Sequence, residues 1–379
     1  MRYFIYIIIF LSFFDLFTQL PIMSTYAESL GASAFLTGLA VGMYSFSNTF
    51  GNILSGVWTD RSGPYRVLIV GLFATGISLL LYSVVNSPMV LLAVRFIHGL
   101  VGGFIVPAAF TFLSNLMKKE KRGQSSAISG ALIGIAAISG PAFSGILANK
   151  LTVPIIFSIT GTCLLLLGFI SLVVLKHFSN NNVEKEETHH VSLQLFQNIG
   201  LLKSYAGAFF LMFAQGVIAY LLPLKVQELG FGTHITGTLL STFGIVAVLL
   251  FLLPTNRVFD LVSPDYTLAF GISLMGTSLL LLSSVEDMLF LYVSMAFYGV
   301  GFAFLFPSIN SLLIDSTTKK ERGKAYGYFY AFFSIGTVGG SSLLGWLDLG
   351  IQQGFIFTGI ILILFALLSM VLKRKSLYH

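Results

Sequence analysis

Residues 177–203 read HFSNNNVEKEETHHVSLQLFQNIGLLK and form the one long polar stretch in a 379-residue chain otherwise built of apolar runs. The stretch falls almost at the middle, and a composition shift of this kind reads as an interdomain linker. Working outward from it, hydropathy places six apolar segments on each side. They run over about 3–24, 35–57, 66–86, 89–114, 124–148 and 152–176 before the linker, and about 204–226, 234–256, 266–284, 288–314, 323–347 and 352–372 after it. Each is close to the ~20 residues that cross a bilayer as a helix. Barrel strands would alternate apolar and polar residues at half this length, and an open backbone in lipid must satisfy its own hydrogen bonds. The expected fold is therefore all-α, with twelve transmembrane helices in two six-helix bundles, 1–176 and 204–379, joined by the 177–203 linker.

Composition excludes several function classes. The chain is 56% apolar and 9% charged, whereas a soluble domain carries about 25% charged residues. An ordinary soluble enzyme, a nucleic-acid-binding domain and a disordered chain are all ruled out. The net charge of +6 follows from membrane topology. With the N-terminus inside, basic residues gather on that side, at Arg2, Arg61, Arg66, 118–122, Lys185, 319–324 and 373–375 among others. Lys150 and Lys225 stay outside, and Arg95 lies within a span. The positive-inside rule then puts both termini and the linker in the cytoplasm of a cell-membrane protein and requires an even number of spans. Met1-Arg2-Tyr3 followed by an apolar run resembles a signal peptide, but Pro21-Ile22-Met23-Ser24 is a poor cleavage site, so this segment is expected to remain as the first span. The single cysteine, Cys163, allows no disulfide within the chain. His189 and His190 sit in a solvated Glu/Lys/Asn loop and read as polar filler, so no metal site and no cofactor are expected.

The halves match at an offset of 200 residues. Asp60 pairs with Asp260, Gly71 with Gly271, Gly99 with Gly299, Pro107 with Pro307, Gly140 with Gly340 and Gly145 with Gly345, and KKEKRG at 118–123 answers KKERG at 319–323. The matches fall at equivalent loops and helix-packing positions, which implies a duplicated six-helix unit.

After span 2 the loop reads Gly56-Val57-Trp58-Thr59-Asp60-Arg61-Ser62-Gly63-Pro64-Tyr65-Arg66. Gly63 permits a tight turn, and Asp60 can cap a helix end or pair with basic groups beside it. This loop resembles the G-x-x-x-D-R-x-G-R/K signature of the major facilitator superfamily, whose fold is two six-helix bundles around a central cavity. The loop after span 8 keeps Asp260 but lacks the arginine and glycine. Span 4 begins Leu92-Ala93-Val94-Arg95-Phe96-Ile97-His98-Gly99, similar to that family's arginine-containing motif. In span 5, Gly140-Pro141 and Gly145 resemble the G-P-x-x-G-G element of its drug-efflux antiporters, although Ser144 and Ala136 stand where glycines are usual. The resemblance spans the chain. It implies that Gly56, Asp60, Arg61, Gly63, Gly140, Pro141, Gly145 and Asp260 serve conformational gating.

Asp15 lies near the middle of span 1, and an ionised carboxylate there costs several kcal/mol, upward of ~2.5. It is expected to face a cavity or a partner. Because the resemblance brings spans 1 and 4 together, Arg95 is the expected partner, with proton coupling or a purely structural pair as the two roles. Arg95 and His98, three residues apart, share one helix face, and His98 is a second candidate proton carrier. The resemblance also makes spans 1, 4, 7 and 10, with help from 2, 5, 8 and 11, line the cavity. Their polar and amphipathic side chains are Gln19, Tyr44, Asn48, Gln215, Tyr220, Tyr298, Asn310, Tyr326 and Tyr330.

These features predict a monomeric secondary active transporter. The expected activity is proton-coupled export of a small amphipathic solute, such as a drug, a siderophore or metallophore, or another metabolite, by alternating access. A proton-coupled uptake symporter and a lipid flippase stay open as alternatives. An intramembrane enzyme would need a nucleophile–base pair or metal ligands within the membrane, and a channel would need pore rings from an oligomer. The topology is open to direct test. Cysteines introduced one at a time into 177–203, in a Cys163→Ala background, should react with maleimides in inside-out vesicles and stay unlabelled in intact cells.

Overall fold

The computed structural model describes residues 2–115, 122–176, 198–252, 262–317 and 322–371, and the described residues are helical with no strand among them. Of the expected linker, 177–197, with His189 and His190, lies outside them, as does Asp260, whereas 198–203 begins a helix, with Asn198 as its cap. The helices are α1 (Arg2–Thr18), α2 (Met23–Ser29), α3 (Ala34–Ser62), α4 (Pro64–Leu80), α5 (Pro88–Gly102), α6 (Ile105–Asn115), α7 (Arg122–Leu147) and α8 (Val153–Val174). After these come α9 (Ile199–Glu228), α10 (Thr233–Leu252), α11 (Pro264–Ser284), α12 (Met288–Asp315), α13 (Arg322–Leu347) and α14 (Ile351–Val371). A 3₁₀ turn, Leu81–Val84, closes α4.

Local chemistry sets the boundaries. Ser33, Ser87, Asn198, Ser263 and Asp287 cap α3, α5, α9, α11 and α12 by accepting from backbone N–H groups of the first turn. Pro64, Pro88 and Pro264 occupy the first helical positions. Gly63, at φ +78°, is the hinge residue between α3 and α4, and its N–H donates to Thr59 O at 2.9 Å. The first span is bent rather than straight: α1 and α2 meet at 47°, across Gln19-Leu20-Pro21-Ile22, where the proline removes a backbone donor.

By length and composition, eight helices among the described residues can cross a membrane, counting α5 with α6 as one, or nine if the bent pair is one span. The remaining long helices are α3, α7 and α13, with 29, 26 and 26 residues. At about 1.5 Å per residue each exceeds the ~30 Å hydrocarbon thickness, but each carries more Ser, Thr, Gly and charged residues than its neighbours.

The contacts form two units, Met1–Glu187 with Gly230–Ser241, and Thr188–Leu229 with Thr242–His379. Within the first, α1 packs on α7, α3 on α5 and α4 on α8; within the second, α9 packs on α13 and α11 on both α12 and α14. The first part of α10, through Ser241, belongs to the first unit and lies on α7. There Ser241 Oγ donates to Ile138 O at 2.7 Å, and a Cβ on Gly145 would stand 2.8 Å from Gly237 Cα.

The 200-residue repeat is visible in packing. A Cβ on Gly71 would meet Ile105, and one on Gly271 would meet Leu305 N at 2.6 Å. A Cβ on Gly99 would strike Tyr44 O, and one on Gly299 would reach Phe243 O at 2.7 Å. Gly140 is pressed on Phe14 and Phe17 of α1, and Gly340 on Phe213 of α9. Each pair thus removes a side chain from the same crossing in its own unit. The α3–α5 crossing leaves no room for a side chain, because Gly51, Gly99 and Gly103 all face backbone. Gly99→Ala should therefore lower unfolding stability by roughly 1–3 kcal/mol, the usual cost of overpacking. Gly56→Ala, where a Cβ meets nothing within 4 Å, should cost nothing measurable. Thermal unfolding in detergent reads the difference.

Candidate functional site

The first unit holds a polar cluster inside apolar surroundings. Its members come from α1 (Asp15), the bend after it (Gln19), α3 (Tyr44), the 3₁₀ turn (Tyr82) and α5 (Arg95, His98). Asp15 is 1% exposed, Arg95 2% and His98 0%. Gly140 seats α1 on α7, and the α3–α5 glycines bring Tyr44 onto the His98 face.

The expected pairing is corrected. Asp15 engages His98, with Oδ2 3.0 Å from Nε2, and no ion pair joins Asp15 to Arg95 among the described residues. Arg95 is held instead by α3 and the α1 bend: Nε donates to Ala40 O at 2.7 Å, Nη2 to Val41 O at 2.9 Å, and Nη1 to Gln19 Oε1. The guanidinium also lies 5.5 Å from the centroid of the Tyr44 ring. Gln19 completes the link by donating from Nε2 to Asp15 O at 3.1 Å. The physical reason is reach. Arg95 and His98 lie on one face, but three of the guanidinium's five donors are drawn to the Ala40 and Val41 carbonyl groups and to Gln19, which leaves the imidazole to meet the carboxylate.

His98 is gripped on its other nitrogen as well. Tyr82 Oη lies 3.2 Å from Nδ1, and the Tyr44 ring meets the imidazole edge-on at 4.9 Å. Tyr82 was absent from the sequence expectations because it is one tyrosine among fifteen, in an apolar run with no spacing to mark it. The 3₁₀ turn that aims it has no sequence signal.

The second unit repeats this arrangement with an amide and a phenol in place of the acid and the imidazole. Gln215 and Tyr298 stand 200 residues beyond Asp15 and His98, and Tyr298 Oη donates to Gln215 Oε1 at 3.4 Å. Phe243 lies T-shaped on Tyr298 at 5.4 Å, as Tyr44 does on His98.

The other candidates are placed as follows. Asn48 donates to Gly99 O at 3.1 Å and accepts from Asn52. Tyr44, Tyr220 and Tyr298 are buried, and Asn310 donates to Phe306 O at 2.9 Å. Tyr330 is 59% exposed and meets Phe329 and Phe333 edge-on. The side chains of Tyr326 and Asp60 lie outside the described residues, while Arg61 is exposed. Pro141 and Gly145 face Gly237 of α10. In the second half the described acid after α10 is Asp265, which pairs with the buried Lys203.

Comparison with known proteins agrees with this architecture. The family described as Major Facilitator Superfamily matches residues 5–206 and 204–377. An uncharacterized MFS-type transporter of Methanocaldococcus jannaschii is 25% identical over 367 residues, 92% of each chain. The multidrug resistance protein MdtG of Escherichia coli O9:H4 (strain HS) is 27% identical over 341 residues, 85% of this chain and 81% of that one. Among solved structures, a mutant of the nucleoside transporter NupG aligns with a TM-score of 0.83 at 14% identity, over 98% of this chain and 99% of that chain. A bacterial homologue of the human lysosomal transporter Spinster aligns with a TM-score of 0.81 at 12% identity, over 99% and 98%.

The Arg95 geometry makes a mutational forecast. Lysine keeps the charge but supplies a single nitrogen, so Arg95→Lys cannot serve three acceptors on two elements at once. Its stability should fall by on the order of 3 kcal/mol, read as a lower unfolding midpoint.

Proposed function

The chain belongs to the Major Facilitator Superfamily, and from that membership we propose that it is a proton-coupled exporter of a small amphipathic solute, working by alternating access. It is a multi-pass membrane transporter and not an enzyme. The observation that carries the finer reading is the Asp15–His98 pair, two titratable groups in contact and shielded from solvent, on apolar helices that reach the length of a span when α1 is taken with α2 and α5 with α6. Ionisable groups in such a place are expensive and mark ion pathways. With Asp15 ionised and His98 neutral, the fixed charge of Arg95 balances the cluster; one further proton leaves it with a net positive charge. A proton therefore changes the electrostatics of the first unit, and that change is what a solute gradient can be coupled to.

Export of an amphipathic solute is supported by the likeness to MdtG, named as a multidrug resistance protein, and by the mixed amide and phenol character of the residues proposed to bind it, Gln19, Tyr44, Asn48, Gln215, Tyr220, Tyr298, Asn310, Tyr326 and Tyr330. The glycine–proline element at Gly140, Pro141 and Gly145, together with the Gly56–Gly63 loop and Asp260, is assigned to gating. In this reading the protein is a monomer in the cell membrane, with bundles 1–176 and 204–379, both termini and the linker in the cytoplasm.

Asp15→Asn keeps the shape of the side chain and removes its titration. In proteoliposomes with an imposed pH gradient and a panel of cationic, zwitterionic and anionic solutes, the wild type should concentrate its solute toward the acidic compartment and alkalinise that lumen. The Asn variant should still exchange solute across the membrane, with its accumulation falling to about the equilibrium ratio of one. Full pH-driven accumulation by Asp15→Asn would overturn the coupling role, and accumulation away from the acidic side would assign uptake in place of export.

A further inference from the structure

We propose that Tyr82 is the positioning residue of the Asp15–His98 pair: its hydroxyl holds the second imidazole nitrogen and reverses its hydrogen bond when the pair takes up a proton. The inference rests on the proton-coupled reading above. Tyr82 is fully buried in the 3₁₀ turn that closes α4, with its ring packed on Phe157 at 4.2 Å. Its Oη lies 3.2 Å from His98 Nδ1, while Nε2 lies 3.0 Å from Asp15 Oδ2. The imidazole is thus held at both nitrogens, and each proton count selects one hydrogen-bond pattern.

Before loading, Asp15 is a carboxylate and needs a donor, so the ring hydrogen sits on Nε2. Nδ1 then presents a lone pair, and Tyr82 donates to it. The other tautomer would set the Nε2 lone pair against the carboxylate. One further proton can go to two places. If it binds Asp15 Oδ2, that O–H donates to Nε2 and the ring hydrogen moves to Nδ1. If it binds the ring, both nitrogens carry hydrogen. Either way Nδ1 becomes an N–H, so Tyr82 Oη must turn from donor to acceptor. A proton on Oδ1, which is buried without a hydrogen-bond partner, would avoid the reversal, and an Nδ1 still bare at low pH would assign the proton there and overturn the reversal.

The titratable and charged neighbours are few. Tyr44 of α3 meets the imidazole by its ring. Arg95, on the same helix as His98, acts on both Tyr44 and Tyr82, as does Asp15. Tyr26 of α2 acts on Tyr82. Among the hydrogen bonds to His98, the one at Nδ1 comes from Tyr82.

Tyr82→Phe keeps the ring on Phe157 and deletes the hydroxyl in both states. The bond lost from the loaded state is the stronger where the imidazolium donates, because charge assistance roughly doubles a hydrogen bond. Loading then needs a higher proton concentration, and the pH profile of solute accumulation should move toward acid by about half a unit to one unit. A merely structural role would lower the amount of folded protein without moving the profile. Because the phenylalanine variant can fail to fold, 3-fluorotyrosine at position 82 supplies an isosteric test: a stronger donor and weaker acceptor, it should shift the profile the same way by less. The tautomer is read directly by ¹⁵N NMR of histidine-labelled protein in nanodiscs, with the His98 signal identified by its loss in His98→Asn. The expected result is hydrogen on Nε2 and a bare Nδ1 at high pH, and hydrogen on Nδ1 at low pH. A protonated Nδ1 at high pH, or profiles that coincide with the wild type in both variants, would overturn the role of Tyr82. Wild-type accumulation by Asp15→Asn would instead overturn the coupling reading, with the tautomer measurement still deciding the geometry.

Discussion

One carboxylate in an apolar helix constrains the first unit. Asp15 cannot be left as an isolated charge away from water, and the elements around it are arranged so that it is not. Gly140 brings α1 against α7, the glycines of α5 bring that helix against α3, and the bend at Pro21 turns Gln19 back toward the same place. Removing a side chain at each crossing lets backbones approach closely enough for short polar groups to reach one another. Glycine abundance in this chain is therefore tied to polar satisfaction as well as to helix association in lipid.

The duplicated half shows what the constraint does by showing what happens without it. Gln215 and Tyr298 keep the contact that Asp15 and His98 make, and Phe243 keeps the ring packing of Tyr44. Position 295, the counterpart of Arg95, is a buried methionine. A neutral amide–phenol bond needs no guanidinium beside it, so the loss of the acid and the loss of the arginine go together. The two halves share this contact and differ in its chemistry, the carboxylate, imidazole and guanidinium of the first unit answering to an amide, a phenol and a thioether in the second.

Much of this was legible in the sequence. The all-helical class follows from hydropathy, since apolar segments of this length have one stable form in lipid. The repeat follows from glycine and proline spacing, and the structure gives its meaning as repeated crossings. Asp15 stood out because an acid in an apolar run is conspicuous, and Arg95 and His98 because they share a face. Which of the two would meet Asp15 was not legible: the outcome depends on the Ala40 and Val41 carbonyl groups, and backbone acceptors leave no mark in a sequence. Tyr82 was invisible for a related reason, since its role comes from a 3₁₀ turn that swings one tyrosine inward. Gln215 and Tyr298 were recognised singly, and their pairing needed the offset and the side-chain geometry together.

The separation of Arg95 from Asp15 carries the last step. A direct bidentate pair would hold the carboxylate in its charged form and make proton uptake costly, because protonation would break the strongest hydrogen bonds the acid has. Tying the guanidinium to Gln19, Ala40 and Val41 keeps its positive charge in the cluster while leaving the carboxylate bonded to a group that itself titrates. In the proposed proton-coupled reading, balance is then supplied through space and the proton is exchanged through contact. Gln19 joins the two groups, accepting from Arg95 and donating to the Asp15 backbone, so the guanidinium is fixed in position beside the carboxylate whose charge it offsets.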